Sequence, residues 1–176
     1  MKEHSISTNY IFKGRIINLR EDSVKLDDGT LAKREIIEHK GAVAVIGILP
    51  DGKFLMVRQY RRPFDKEMLE VPAGIPHQGE DPKEAARREL QEETGYLAKN
   101  IYHLSSAAAT PGYSDELIKL FAATELTFVG QNLDEDERVE PIPMTFAEAW
   151  EKIKTGEIMD AKTIAILGLY EKLGKR

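Results

Sequence analysis

The sequence predicts an α+β protein, and three patterns predict it. Strand-like stretches outnumber helix-like ones, their order is not the strict alternation of a parallel βαβ fold, and three amphipathic helices fall after residue 80. The first forty residues alternate apolar and polar side chains, with Tyr10, Phe12, Ile16, Ile17, Leu19, Val24 and Leu26 on the apolar positions. Asp27-Asp28-Gly29 is a turn signal, and Leu31 to Glu38 follows as a second strand. This reads as an antiparallel β-ribbon subdomain over residues 1–40, followed by a larger domain over residues 41–176. The ribbon has too few apolar side chains to bury a core alone, so it is expected to pack on another surface.

Gly41 opens the continuous apolar run AVAVIGIL, and Pro50-Asp51-Gly52 turns it back into a hairpin partner from Phe54 to Tyr60. Shorter strands are expected at Met68–Val71, Ile101–Ala108, Leu117–Thr124 and Val139–Pro143. The first helix starts at Asp81 as N-cap, with Pro82 at its first position and Glu84 three residues after the cap, and stops at Gly95. The second runs from Thr145 to Lys154, with Phe146, Ala149, Trp150 and Ile153 at helical spacing. The third runs from Ala161 to Lys172 behind Asp160 as its cap.

Bulk properties exclude several classes of function. A net charge of −5 argues against a general nucleic-acid binder, because no basic stripe is available to neutralise a phosphate backbone. The absence of cysteine excludes disulfides, thiolate zinc sites and a cysteine nucleophile. No stretch approaches the ~18 apolar residues of a membrane helix, and nothing near Met1 resembles a signal peptide. A cytoplasmic location without membrane attachment is expected.

The chemistry concentrates on the first helix. Glu89 and Glu93 lie one turn apart on one face, Glu92 stands beside them, and Ala86 and Leu90 form the neighbouring apolar stripe. The carboxylates therefore sit at the edge of the buried side. Like charges at this spacing cost a helix roughly 0.2–0.5 kcal/mol per pair, and a hard divalent cation would turn that cost into a binding site. Arg88 is placed to orient a neighbouring carboxylate through a bidentate contact. A solvated charged face is the commoner fate of such a run.

The surroundings decide against the commoner fate. Residues 74–96, GIPHQGEDPKEAARRELQEETGY, resemble the Nudix box, with Gly74, Glu80, Arg88, Glu89, Leu90, Glu92, Glu93 and Gly95 in place and only Tyr96 departing from the usual aliphatic residue. The resemblance implies a mixed β-sheet sandwiched between helices, and hydrolysis of a nucleoside diphosphate derivative by water with bound Mg²⁺, or Mn²⁺ in its place. By position it makes Glu89 and Glu93 the main metal ligands, with Glu92 close by and the Ala73 carbonyl as a further ligand. Arg88 and Glu80 orient. No protein nucleophile is implied.

Features outside the box are similar to the ADP-ribose pyrophosphatase branch: Pro111-Gly112 fifteen residues beyond Tyr96, and the β-rich N-terminal extension. That branch implies a homodimer with exchanged N-terminal strands, each completing the partner's substrate site. On this reading Arg58, Gln59 and Arg61 lie near the diphosphate or adenosine, and Arg34 reaches the other subunit's substrate. Glu70 and Glu116 bond ribose or adenine groups. A basic surface loop is an equally good reading of Arg61-Arg62, and Pro111-Gly112 fits a simple turn. The run LDEDERVEP carries five acids from Asp134 to Glu140, usually a solvated loop. In this family such a loop supplies the catalytic base, here Glu135 or Glu137, with Glu137 slightly preferred. Hydrolysis of ADP-ribose to AMP and ribose 5-phosphate is the leading expectation. The alternatives are a GDP-sugar or dinucleoside polyphosphate substrate, or an ADP-ribose sensor that does not cut. The four histidines are scattered without metal-site spacing, and Met56, Met68 and Trp150 are expected in the core.

Overall fold

The structure is a computed structural model that describes residues 2–173. The chain divides into two compact units. One comprises the chain up to Gly41 together with Ala108–Leu117; the other comprises Ala42–Ala107 and the chain from Ile118 onward.

The first unit is built on a three-stranded antiparallel sheet, β1 (Glu3–Lys13), β2 (Ile17–Leu26) and β3 (Leu31–His39), in that spatial order. The apolar–polar alternation continues across Gly14, so the sequence pattern hides a turn there. The Gly14 amide donates to the Ile17 carbonyl, and a Cβ at Gly14 would collide with the Phe12 ring. The expected ribbon is therefore a three-stranded sheet. Asp27-Asp28-Gly29 makes the second turn, with Gly29 at φ 90. Pro111-Gly112 lies in this unit too, where Ser114 forms a bridge to Ile37. Every residue of β1 is exposed, including Ile6, Tyr10 and Phe12.

The second unit centres on β4 (Ala42–Ile48) and β5 (Phe54–Arg61). After β5 come β6 (Lys66–Glu70), β7 (Ala73–Gly74), helix α1 (Pro82–Thr94), β8 (Tyr96–Ala108), β9 (Leu117–Phe128), β10 (Val139–Met144), α2 (Phe146–Lys154) and α3 (Ala161–Leu173). The sheet order is β10-β5-β4-β9-β8, with β6 on β5 and β7 on β4; β4 and β9 are parallel, the other registered pairs antiparallel. Val43, Ala44, Val45 and Ile46 are all fully buried, which explains the unbroken apolar run: a strand covered on both faces cannot alternate. Val43, Val45 and Leu55 pack with Ala85, Ala86 and Leu90 of α1. On the other face Phe54 meets Phe146 of α2 at 4.8 Å, and Phe146 stacks on Tyr170 of α3. Trp150 is half-buried on α2, and Met56 and Met68 are in the core. Among the described residues no helix is long and apolar enough to cross a membrane.

Candidate active site

Helix α1 starts and stops where local chemistry requires. The Asp81 carboxylate accepts the Lys83 N–H at 2.8 Å, Pro82 occupies the first turn, and Gly95 closes the helix at φ 80 with its N–H on the Gln91 carbonyl. Glu84 does not complete a reciprocal box; it accepts from Arg87 instead. With Ala85, Ala86 and Leu90 turned into the core, the acidic stripe emerges at the core's rim. Glu93 is 5% exposed, and the Glu89 and Glu92 side chains are largely covered. Arg88 gathers the acids. Its Nε and Nη2 form a fork on Glu80, each at 3.0 Å, while Nη1 donates to Glu89 at 2.7 Å and to Glu92 at 2.8 Å. These contacts raise the guanidinium pKa still further and hold Glu80 below the usual carboxylate range.

Arg88 does not compensate the whole cluster. Burial, then the charge of Glu89, pushes the Glu93 carboxyl up to about 8, although the Ala73 N–H donates to it at 3.1 Å. Glu89 is also raised, by burial first, against the pull of Arg88. The charge of Glu137, in the acidic loop, adds to the rise at both. Among the described residues Glu93 thus has no ion-pair partner, Glu89 shares the one Arg88 guanidinium with Glu80 and Glu92, and the donors of both are hard oxygens. Among the described residues no three acidic or His side chains stand grouped as a finished cage. A cation of the Mg²⁺ type does not need one, since it completes its shell with waters and substrate phosphates. Glu89 and Glu93, with Glu92 beside them, fit such an ion.

Gly74 is part of the same construction. A Cβ there would overlap the Glu89 carboxyl group. Gly74→Ala is therefore expected to displace Glu89 and cost at least tenfold in divalent-ion affinity, by the typical effect of disturbing a ligand's supports. Mn²⁺ titration of the folded variant checks this; an unchanged midpoint would mean that Glu89 does not ligate.

The remaining sequence-predicted residues divide between the units. In the second unit, Arg61 forks onto Glu70 at 2.6 and 2.8 Å, so two expected substrate contacts are bonded to each other. Glu70 is almost fully buried. Burial would raise its pKa, but Arg61 and Lys162 outweigh this and hold it below the ordinary value. Arg58 pairs with Glu140 at 3.1 Å, and the Gln59 side-chain nitrogen is buried without a hydrogen-bond partner. Arg58, Gln59, Arg138 and Glu140 line one cavity of about 350 Å³. The Asp134 amide donates to the Glu137 carboxylate, whereas Glu135 offers its carbonyl to Arg138. In the first unit, Arg34 pairs with Glu3, and Glu116 stands 3.6 Å from His39. Pro111-Gly112 forms a turn in which the Ser114 N–H reaches the Thr110 carbonyl.

Comparison with known proteins decides the family. The NUDIX domain matches residues 38–165, and the nucleoside diphosphate sugar hydrolase N-terminal domain matches residues 3–37. The chain belongs to the Nudix family. This Nudix protein is 46% identical to a methanol dehydrogenase activator of Bacillus methanolicus, over 93% of this chain and 89% of that one. It is 41% identical to an ADP-ribose pyrophosphatase of Bacillus subtilis, over 98% and 96% of the two chains. A GDP-mannose pyrophosphatase of Yersinia enterocolitica is 35% identical over 80% of each. A crystal structure of an ADP compounds hydrolase superposes with a TM-score of 0.87 at 21% identity, covering 98% and 94%, a likeness of fold. The chain is accordingly a Nudix diphosphatase that hydrolyses nucleoside diphosphate derivatives, of a family that works with divalent metals.

Sequence reasoning missed two groups in this Nudix site. Gln131 donates to the Glu93 carbonyl at 2.6 Å and to the Val139 carbonyl, and the Asn132 N–H reaches the Glu92 carbonyl, tying the acidic loop to the end of α1. Lys162 and Thr163 on α3 bond to Glu70 and Val71. The only sequence signal for the second group was Asp160 as a helix cap.

Proposed function

We propose that this Nudix hydrolase cleaves ADP-ribose to AMP and ribose 5-phosphate with bound Mg²⁺, which Mn²⁺ can replace. The observation that carries the reading is the pair of covered carboxylates on α1, Glu89 and Glu93, which have one directly bonded cation between them, Arg88 on Glu89, and both feel the charge of Glu137. Similarity to an ADP-ribose pyrophosphatase over nearly the whole of both chains supports the substrate.

In this reading Glu89, Glu93 and the Ala73 carbonyl hold the cation, with Glu92 beside them. When bound there, such an ion would supply polarisation of the phosphoryl oxygens and a lowered pKa for water. Arg88 and Glu80 keep the carboxylates in position. Glu137 takes the proton from the attacking water, with Glu135 as its alternative. Arg58, Gln59 and Arg61 meet the diphosphate and adenosine. Glu70 anchors Arg61, while Glu116 and Pro111-Gly112 are assigned to the ribose or adenine groups. Arg34 serves the partner subunit's site in a homodimer that exchanges N-terminal strands. The wholly exposed β1, with Ile6 at 58% and Phe12 at 55% exposure, supports that assembly.

A substrate panel with Mg²⁺ tests the reading: ADP-ribose, GDP-mannose and a diadenosine polyphosphate, with products separated by chromatography. ADP-ribose is expected to give the highest kcat/KM. Far faster turnover of GDP-mannose would move the chain to the branch of its Yersinia relative. Sedimentation at micromolar concentration is expected to give a dimer, and a fully active monomer would remove the exchange.

A further inference from the structure

We infer that the start of α3 is a positioning clamp for the metal site, in which Lys162 and Thr163 fix the strand end Glu70–Ala73 and, through it, Glu93. The inference rests on the metal-site reading above.

The clamp has two links, to consecutive residues. Glu70 is 2% exposed and ionised, so it needs positive partners at short range. It has two: the Arg61 fork and the Lys162 ammonium. Lys162 is itself half-buried and held by Asp160 Oδ1 at 3.0 Å. The second link runs through Thr163, which is fully buried. Its hydroxyl donates to Asp160 Oδ2 at 2.5 Å and accepts the Val71 N–H at 2.9 Å, which uses the group in both of its capacities. Asp160 Oδ2 also caps the helix by accepting the Thr163 N–H. One carboxylate thus sets both links.

The tie continues toward α1. The Pro72 carbonyl accepts the Val45 N–H at 2.9 Å, and the Ala73 N–H donates to Glu93 Oε2 at 3.1 Å. Gly74 then passes against the Glu89 carboxyl. Four successive residues are tied to fixed partners, and the chain of bonds ends on a metal ligand. Stability alone does not call for this arrangement, because a buried ion pair is often no better than an apolar pair of the same volume. The two cations on Glu70 also differ. The Arg61 side chain is 37% exposed and is assigned to substrate, whereas that of Lys162 is 12% exposed and, among the described residues, pairs with Glu70 and Asp160. Lys162 keeps Glu70 compensated when Arg61 turns to a diphosphate.

The test compares Lys162→Met, which keeps the apolar stem, Thr163→Val, which keeps the shape, and Lys162→Arg, which restores the charge. Mn²⁺ binding to the substrate-free protein is measured from the electron paramagnetic resonance signal of the free aqua ion, beside kcat, KM and melting temperature. Lys162→Met and Thr163→Val are each expected to weaken Mn²⁺ binding roughly tenfold or more and to lower kcat with little change in KM. Lys162→Arg is expected to recover most of the binding. Melting temperatures that fall while Mn²⁺ affinity stays at the wild-type value would overturn the clamp and leave a purely structural network. If Lys162→Met does not fold, Thr163→Val alone decides between these results. A wild-type protein that binds no Mn²⁺ would instead sink the metal-site reading, and the clamp with it.

Discussion

Glu93→Gln is expected to lower kcat by several orders of magnitude and to weaken Mg²⁺ binding, while the protein stays folded. Glutamine keeps the size of the side chain and an oxygen to accept the Ala73 N–H, so the backbone tie survives. What is lost is the negative charge facing the cation, and with it the charge stabilisation that a bound metal gives the transition state. The pH dependence supplies an independent check. In the metal-free protein the Glu93 pKa lies at about 8, against 4.5 for an ordinary glutamate. Between these values the unfolded chain has released a proton that the folded chain keeps. Stability without metal therefore falls as pH rises through this window. Glu93→Gln has no such proton, so its melting temperature relative to wild type should climb from pH 5 to pH 8. For the same reason Mg²⁺ affinity of the wild type should rise with pH up to about 8, because the ion must displace the proton. Full activity of Glu93→Gln with an unchanged Mg²⁺ requirement would remove Glu93 from the metal site.

What was legible in the sequence was what local chemistry dictates. Asp81, Pro82 and Gly95 mark the ends of α1 through the needs of unpaired backbone groups and a left-handed φ, and the structure places all three there. Helical geometry alone put Glu89 and Glu93 beside the buried stripe of Ala86 and Leu90. The unbroken apolar run after Gly41 announced a strand, and the burial of Val43 to Ile46 shows why it does not alternate. The turn at Gly14 was not legible, because apolar alternation continues through it. Arg61 and Glu70 each read as a polar residue open to substrate. The register of β5 on β6 sets Arg61 opposite Lys66 and Glu70 opposite Val57, so the fork forms by the reach of the side chains, which neither strand's sequence shows. Lys162 lies 92 residues from Glu70, and no periodicity joins them. Gly74 was recognised by pattern, but its reason, the Glu89 carboxyl lying against it, exists only in three dimensions.

Glu137→Gln is expected to leave Mg²⁺ and substrate binding nearly intact and to lower kcat by roughly 10²–10⁴-fold, the range for removal of a general base. The sequence offered Glu135 and Glu137 nearly equally. The structure separates their surroundings: the charge of Glu137 is felt at both Glu89 and Glu93, and its carboxylate holds the Asp134 amide at 3.2 Å. Gln131 and Asn132 tie the start of this loop to the end of α1, the helix that carries Glu89 and Glu93. A base acts in the transition state, so KM and the Mn²⁺ midpoint should not follow kcat down. Glu135→Gln is expected to retain near-full activity as the matched control. Should both variants keep near-full activity, the base is either shared between the two or supplied by the helix, where Glu92, more exposed than Glu89 and a partner of Arg88, becomes the residue to replace next.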